Sequence, residues 1–319
     1  MGLVKQIENF LENKVYKVVK LYLIIVVTMQ NILEDIKKKH EEILWTTVRI
    51  KAEKAWGSGT VIYSGQDSKG EYHNYVLTCE HVIHENIKIE TKFDSRVGYD
   101  IKKENRIPCE VEFFYYDKYS ICQGVSGSTK ADIMAYDVDG DIALLELRRN
   151  TKIDYVAKLF LKDHYNEIHV FDPVYAVGAA LGHEPVATSG MINFMNELID
   201  EGIEYWMSNA PIIFGNSGGA VFRFSPERQR YEFIGMPARV AVNIAGFMPD
   251  PITHLAWFVP INRIYKLIDD NFYQFIYDNN WTFEKCNEER DKWKKEREKL
   301  LLAKYGGTPE KEEKRRKGL

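Results

Sequence analysis

The sequence predicts an all-β core of sandwich or barrel type with helices at both ends. From Trp45 to about residue 259, short apolar runs alternate with turn residues, and few stretches favour helix. On either side of that region the apolar residues recur at helical spacing instead. A length of 319 residues allows one large domain or two ordinary ones. The 45% of hydrophobic residues can fill a core, and a net charge of −4 gives no sign of a general nucleic-acid binder.

Leu3, Ile7, Phe10 and Leu11 lie at helical spacing, and Val18–Met29 is mostly apolar with Lys20 inside it. That run falls short of the ~20 residues that span a bilayer. It also lacks the small-residue cleavage site of a signal peptide. We expect a packing or surface helix first, and weak membrane-surface contact through residues 1–29 second. Translation from Met29 would make this stretch an upstream extension. Residues 30–44 form a clearer amphipathic helix, with Ile32, Leu33, Ile36, His40 and Ile43 on one face.

Trp45–Ala52 then alternates as a strand, Gly57-Ser58-Gly59 punctuates, and Thr60–Tyr63 resumes. Gly65–Gly70 is turn material before the strand Tyr72–Thr78. After Pro260, Asn262 caps a helix that buries Ile264, Leu267, Ile268, Phe272, Phe275 and Ile276. Residues 282–304 are helical and charged, with too few heptads for a coiled coil. Gly306-Gly307 stops them, and Thr308–Leu319 reads as a disordered charged tail. The expected division is a helical segment 1–44, a central domain 45–278 and a helical tail 279–319. Within the domain, the two halves are about 45–150 and 165–260, closed by a helix at 261–278. The four cysteines, Cys79, Cys109, Cys122 and Cys286, make no disulfide scaffold in so long a chain. A reducing compartment fits, the cytoplasm first and a membrane-associated site second.

Phe214-Gly215-Asn216-Ser217-Gly218-Gly219 puts one hydroxyl among small residues in an apolar run. Glycines let the backbone turn tightly and let a substrate approach it. A nucleophilic serine needs that, because its attack creates an oxyanion that backbone N–H groups must stabilise. Val76–Ile83 is a strand running into His81, where a base is held rigidly. Asp141 immediately precedes the apolar strand Ile142–Leu147, half buried where it can orient an imidazole, while Asp137 and Asp139 shape the turn. Cys79, His81 and His84 could be read as metal ligands, but no fourth ligand has suitable spacing. A calcium loop counted from Asp137 would place Arg148 at its twelfth position. We expect no metal and no cofactor. The order His81, Asp141, Ser217 also excludes an α/β-hydrolase, whose serine comes first and is followed by a helix.

With these motifs in place, the sequence resembles the HtrA-like branch of the chymotrypsin superfamily of serine proteases. Gly57–Ile62 is similar to its opening G-S-G strand, Leu77–Ile83 to its histidine motif, and Asp141–Leu145 to its D-x-A acid motif. Ser208–Gly219 is similar to its T-D-A-x-I-N-x-G-N-S-G-G run. Val174–Gly182 and Thr188–Ile192 fall where the family has A-I-G-x-P-L-G and T-x-G-I-V. Val242–Ala245 and Leu255–Pro260 fall where it has G-I-N-T-A and I-G-F-A-I-P. The resemblance covers roughly residues 45–275 and implies a chymotrypsin-like pair of six-stranded β-barrels with the site between them. It implies His81 and Asp141 from the first barrel and Ser217 from the second, with an oxyanion hole at Gly215, Asn216 and Ser217. Nothing in residues 279–319 resembles the family's PDZ domain, so none is expected there. Residues 92–130 lengthen the stretch between His81 and Asp141, and are expected as an added hairpin or loop at the cleft.

The resemblance further implies a serine endopeptidase acting on protein or peptide substrates. It implies a specificity pocket at Pro211, Ile213, Phe214, Asn243, Ile244, Ala245, Ala256 and Phe258. None of these is acidic, so a small or medium apolar side chain is expected at the cleaved bond rather than Lys or Arg. A homo-oligomer is compatible with this reading. The rival is a binding or scaffold protein that keeps the fold without useful proteolysis.

Overall fold

The alternation of apolar and polar residues closes into two antiparallel barrels of six strands each. The computed structural model describes residues 2–94, 99–117, 121–199, 202–243 and 250–305. A long helix α1 (Gly2–Lys38) leads through a π turn and a 3-10 turn into the first barrel. That barrel uses β1 (Thr47–Lys51), β2 (Trp56–Gln66) and β3 (Tyr72–Thr78), followed by the single turn α2 (Glu80–Ile83). A separate ribbon of β4 (Ile87–Asp94) and β5 (Tyr99–Arg106) precedes β6 (Cys109–Tyr116), β7 (Cys122–Asp137) and β8 (Ile142–Leu147). The spatial order β1-β2-β3-β8-β7-β6 closes through the short pairing of β6 with β1.

The second barrel uses β9 (Pro173–Gly178), β10 (Val186–Ile199), β11 (Ile203–Ser208), β12 (Ala220–Ser225), β13 (Arg230–Asn243) and β14 (Asp250–Pro260). Its order is β10-β11-β14-β13-β12-β9. Helix α3 (Ile261–Asp270) packs Ile264, Leu267 and Ile268 inward, and α4 (Phe283–Tyr305) follows. The core is continuous: Val76, Leu77, Leu144 and Leu145 in barrel one, and Val177, Phe222, Phe233 and Phe258 in barrel two, are essentially inaccessible. Such burial stabilises the fold by ~25 cal/mol per Å² of apolar surface removed from water and drives closure of each barrel.

Three details differ from the expectations. Residues 92–130 are not one insertion. The ribbon at 87–106 lies outside the barrel, whereas β6 and β7 are two of its six strands. The turns between them misled because Gly124 and Gly127 interrupt a strand that is otherwise β-prone. Second, the face Ile32, Leu33 and Ile36 is exposed rather than packed. Contact with the barrel begins lower down, where Asp35 accepts from the Tyr231 hydroxyl at 2.6 Å and Glu42 from the Tyr231 N–H at 2.7 Å; Ile43 is the residue that enters the core. Third, the closing helix ends at Asp270 rather than running to 278, and its N-cap is Pro260, so Asn262 lies inside the first turn and does not cap it; Phe275 and Ile276 are buried from a separate 3-10 turn. All four cysteines are free.

Candidate active site

The strand β3 is buried through Tyr75, Val76 and Leu77, so its end is fixed, and α2 begins at once and carries His81 out of the core. The imidazole is about half exposed on its outer side. Its Nδ1 lies 2.9 Å from both carboxylate oxygens of Asp141, and its own backbone N–H donates to Asp141 Oδ1 at 3.0 Å. With a carboxylate as acceptor, Nδ1 carries the proton and Nε2 keeps its lone pair. Asp141 occupies the left-handed region at φ 52°, which aspartate tolerates better than most residues. The Asp141 N–H donates to Val138 O at 3.2 Å.

Ser217 arrives from the second barrel on a turn built by backbone bonds. Asn216 N–H donates to Ile213 O and Gly219 N–H to Asn216 O. The Asn216 side chain turns inward, where its Oδ1 accepts from Ile213 N–H at 3.0 Å. Asn216 therefore shapes the turn, and its committed N–H is not an oxyanion donor. Gly218 sits so close to barrel one that a Cβ would meet Ser58 O at 2.2 Å and Thr78 Oγ1 at 2.4 Å. Ser217 O accepts from Ser58 N–H at 2.8 Å. These contacts bring the serine turn against the strand ends that carry His81.

The peptide between Phe214 and Gly215 has a defined direction. Phe214 O accepts from Leu181 N–H at 2.7 Å, and the peptide is trans. The Gly215 N–H consequently points the opposite way, away from the 179–183 loop. Gly215 has φ 95°, and a Cβ there would stand 2.6 Å from both Ala179 O and Leu181 N. Only glycine fits. Ser58, fully buried, joins these parts: its hydroxyl donates to Gly215 O at 2.6 Å and accepts from Ala179 N–H at 2.7 Å. The sequence singled out Gly57-Ser58-Gly59 as punctuation; the hydroxyl's bridging role had no local signal.

Cys79, His81 and Asp141 offer ligand atoms within 4.8 Å of one another. Burial, and then the Asp141 charge, push the Cys79 thiol well above its ordinary range. Its Sγ donates to Pro237 O at 3.2 Å. A zinc site needs the thiolate, so a protonated, hydrogen-bonded thiol fits a metal poorly. His84 turns to Glu80 at 2.7 Å instead of toward this group.

The residues expected to form a pocket separate into three groups. Pro211 and Phe214 are exposed and Ile213 is half buried on the turn leading to Ser217. Ala256 and Phe258 are interior, beside a void of about 10 Å³ bounded also by Ala210, Ile212 and Pro237. Asn243 is exposed at the end of β13, while Ile244 and Ala245 lie outside the described residues. The part of β13 that meets the serine turn is farther back, where Pro237 O accepts from Gly218 N–H at 3.0 Å.

The trypsin-like peptidase domain family matches residues 57–227, a span that includes His81, Asp141 and Ser217. The serine endoprotease from Yersinia pestis is 18% identical over 74% of this chain and 65% of its own, with a TM-score of 0.46. The chain thus spans just under two thirds of that protein's length. Deg5 is 18% identical over 73% of this chain and 90% of its own, with a TM-score of 0.48. No curated protein matches the sequence.

Proposed function

The chain belongs to the trypsin-like peptidase family, and from that premise we propose that it is a serine endopeptidase working through Ser217, His81 and Asp141. The observation that carries this reading is the imidazole gripped by Asp141 beside the serine turn, with Nδ1 2.9 Å from the carboxylate. Ser217 Oγ attacks the scissile carbonyl carbon, and its proton passes to His81 Nε2. The Gly215 and Ser217 N–H groups receive the oxyanion, each such donor contributing a factor on the order of 10² to 10³. The C–N bond then breaks as His81 returns the proton to the leaving amine. Water repeats the sequence on the acyl-enzyme. Asp141 stays ionised and stabilises the imidazolium.

The side chain accepted at the cleaved bond is small or medium and apolar. That reading is supported by the absence of any acidic residue among Pro211, Ile213, Phe214, Asn243, Ile244, Ala245, Ala256 and Phe258. A fluorophosphonate probe tests the nucleophile. Wild-type protein should be labelled and Ser217→Ala should not. An unlabelled wild type, or equal labelling of both, would leave a binding or scaffold protein on the same fold.

We also assign α1 to a lipid bilayer. Val15, Val19, Leu21, Leu23, Ile24 and Val27 point to every side of the helix and are 50–62% exposed. A helix apolar all round has no stable place in water. Val15–Leu33 is about 28 Å long at the helical rise, close to the ~30 Å hydrocarbon thickness. Lys17 and Lys20 near one end can extend to the headgroups. The full chain should float with phosphatidylcholine–phosphatidylglycerol vesicles in a density gradient, and a chain starting at Met29 should not. Equal behaviour of the two chains excludes the assignment.

A further inference from the structure

Arg49 and Glu112 face each other across the seam that closes barrel one, as a β1–β6 register pair. Both side chains are largely buried. Arg49 Nε donates to Glu112 Oε2 at 2.6 Å, while Lys51 Nζ lies 2.5 Å from Glu112 Oε1. Burial works against the charged carboxyl, yet the bonds from Lys51 and Arg49 outweigh it and hold Glu112 below its ordinary range. The guanidinium also lies 5.3 Å from the ring centres of both Trp56 and Phe114, which favours one orientation of its plane.

Its remaining arm leaves that barrel. Arg49 Nη1 donates to the carbonyl oxygen of Gly182, in the loop of barrel two that carries Leu181. Leu181 and Gly182 sit at φ 51° and 75°, a turn that needs outside support to hold a leucine there. Trp56 presses against the same turn, 3.3 Å from where a Cβ of Gly182 would stand. Leu181 N–H in turn holds Phe214 O, and with it the direction of the Gly215 N–H.

We propose that Arg49, oriented by Glu112, is a positioning residue for the oxyanion site: it braces the 180–182 turn so that Leu181 keeps the Phe214–Gly215 peptide facing the productive way. Without the brace the turn relaxes, Phe214 O is released, and the peptide is free to rotate its N–H out of the site. The substrate groove need not change. This inference rests on the Ser217 reading, so its test separates the two.

Arg49→Met and Arg49→Lys are compared with wild type on a fluorogenic peptide chosen by library digestion. Lysine preserves the charge beside Glu112 but cannot span Glu112 and Gly182 together, because it lacks the planar fork. Both variants should lose ~10- to 100-fold in kcat, a large part of one oxyanion donor's worth, with KM within about twofold. Affinity for a peptide aldehyde, whose adduct carries the tetrahedral oxygen, should fall by the same factor as kcat. The pH profile of the surviving activity should keep its midpoint, since His81 and Asp141 are untouched. If Arg49→Met does not fold, Arg49→Lys decides alone. An active wild type with kcat unchanged in Arg49→Lys, or with the loss confined to KM, overturns the brace and leaves the triad standing. A wild type inert to both peptide and fluorophosphonate overturns both.

Discussion

The two halves of the site are held in different ways. His81 and Asp141 come from one barrel and are joined side chain to side chain, with each residue placed by the strand beside it. The serine turn has few side chains to fix it. Its peptides are oriented by Leu181, Ser58 and Pro237, which come from three other elements. A base needs one correct partner. An oxyanion site needs several backbone groups pointed in a set direction, and backbone direction is a property of everything packed around it. Damage to the first half should be local and chemical, whereas damage to the second should spread through the contacts between barrels.

The largest effect expected is from Asp141→Asn. Asparagine preserves shape but offers Nδ1 a donor or a neutral acceptor, favouring the wrong imidazole tautomer. The kcat near neutral pH should fall on the order of 10⁴-fold. Fluorophosphonate labelling should slow in parallel, since both need His81 as base, and the melting temperature should move little. If kcat and labelling stay within about tenfold of wild type, Asp141 does not orient the base.

This difference between the halves also explains what the sequence made legible. Apolar alternation and punctuation by glycine and proline were enough for the β class and for the closing helix around Ile264 and Leu267. His81, Asp141 and Ser217 each sit in a short motif where residue type and local backbone agree, which is why a linear reading singles them out. Ser58 and Arg49 act across sequence separations of more than a hundred residues, and nothing near them in the chain records where their partners lie. Pro237 was missed for the same reason: strand pairing sets it against Gly218, and nothing next to it in the chain records that. The α1 helix inverted the problem: its apolar residues implied packing, and only the folded chain shows that the barrels leave them uncovered.

The second expected effect falls on the backbone-held half. Gly215→Ala adds a Cβ 2.6 Å from Ala179 O and from Leu181 N, in a left-handed conformation. Neither neighbour is a flexible side chain, so the turn must move, and the Leu181–Phe214 hydrogen bond moves with it. Loss of one oxyanion donor should lower kcat ~10²- to 10³-fold, or about 3–4 kcal/mol. KM should change far less. Gly70→Ala supplies the control, because Gly70 has φ 83° with open space around it. It should lose ~1–2 kcal/mol of stability from backbone strain alone, with kcat unchanged. Urea titration and steady-state kinetics on both variants separate strain from crowding. If Gly215→Ala loses stability as Gly70→Ala does but keeps kcat within about threefold, the turn is positioned by its neighbours for shape and not for the oxyanion. The two halves of the site would then be alike in depending on His81 and Asp141.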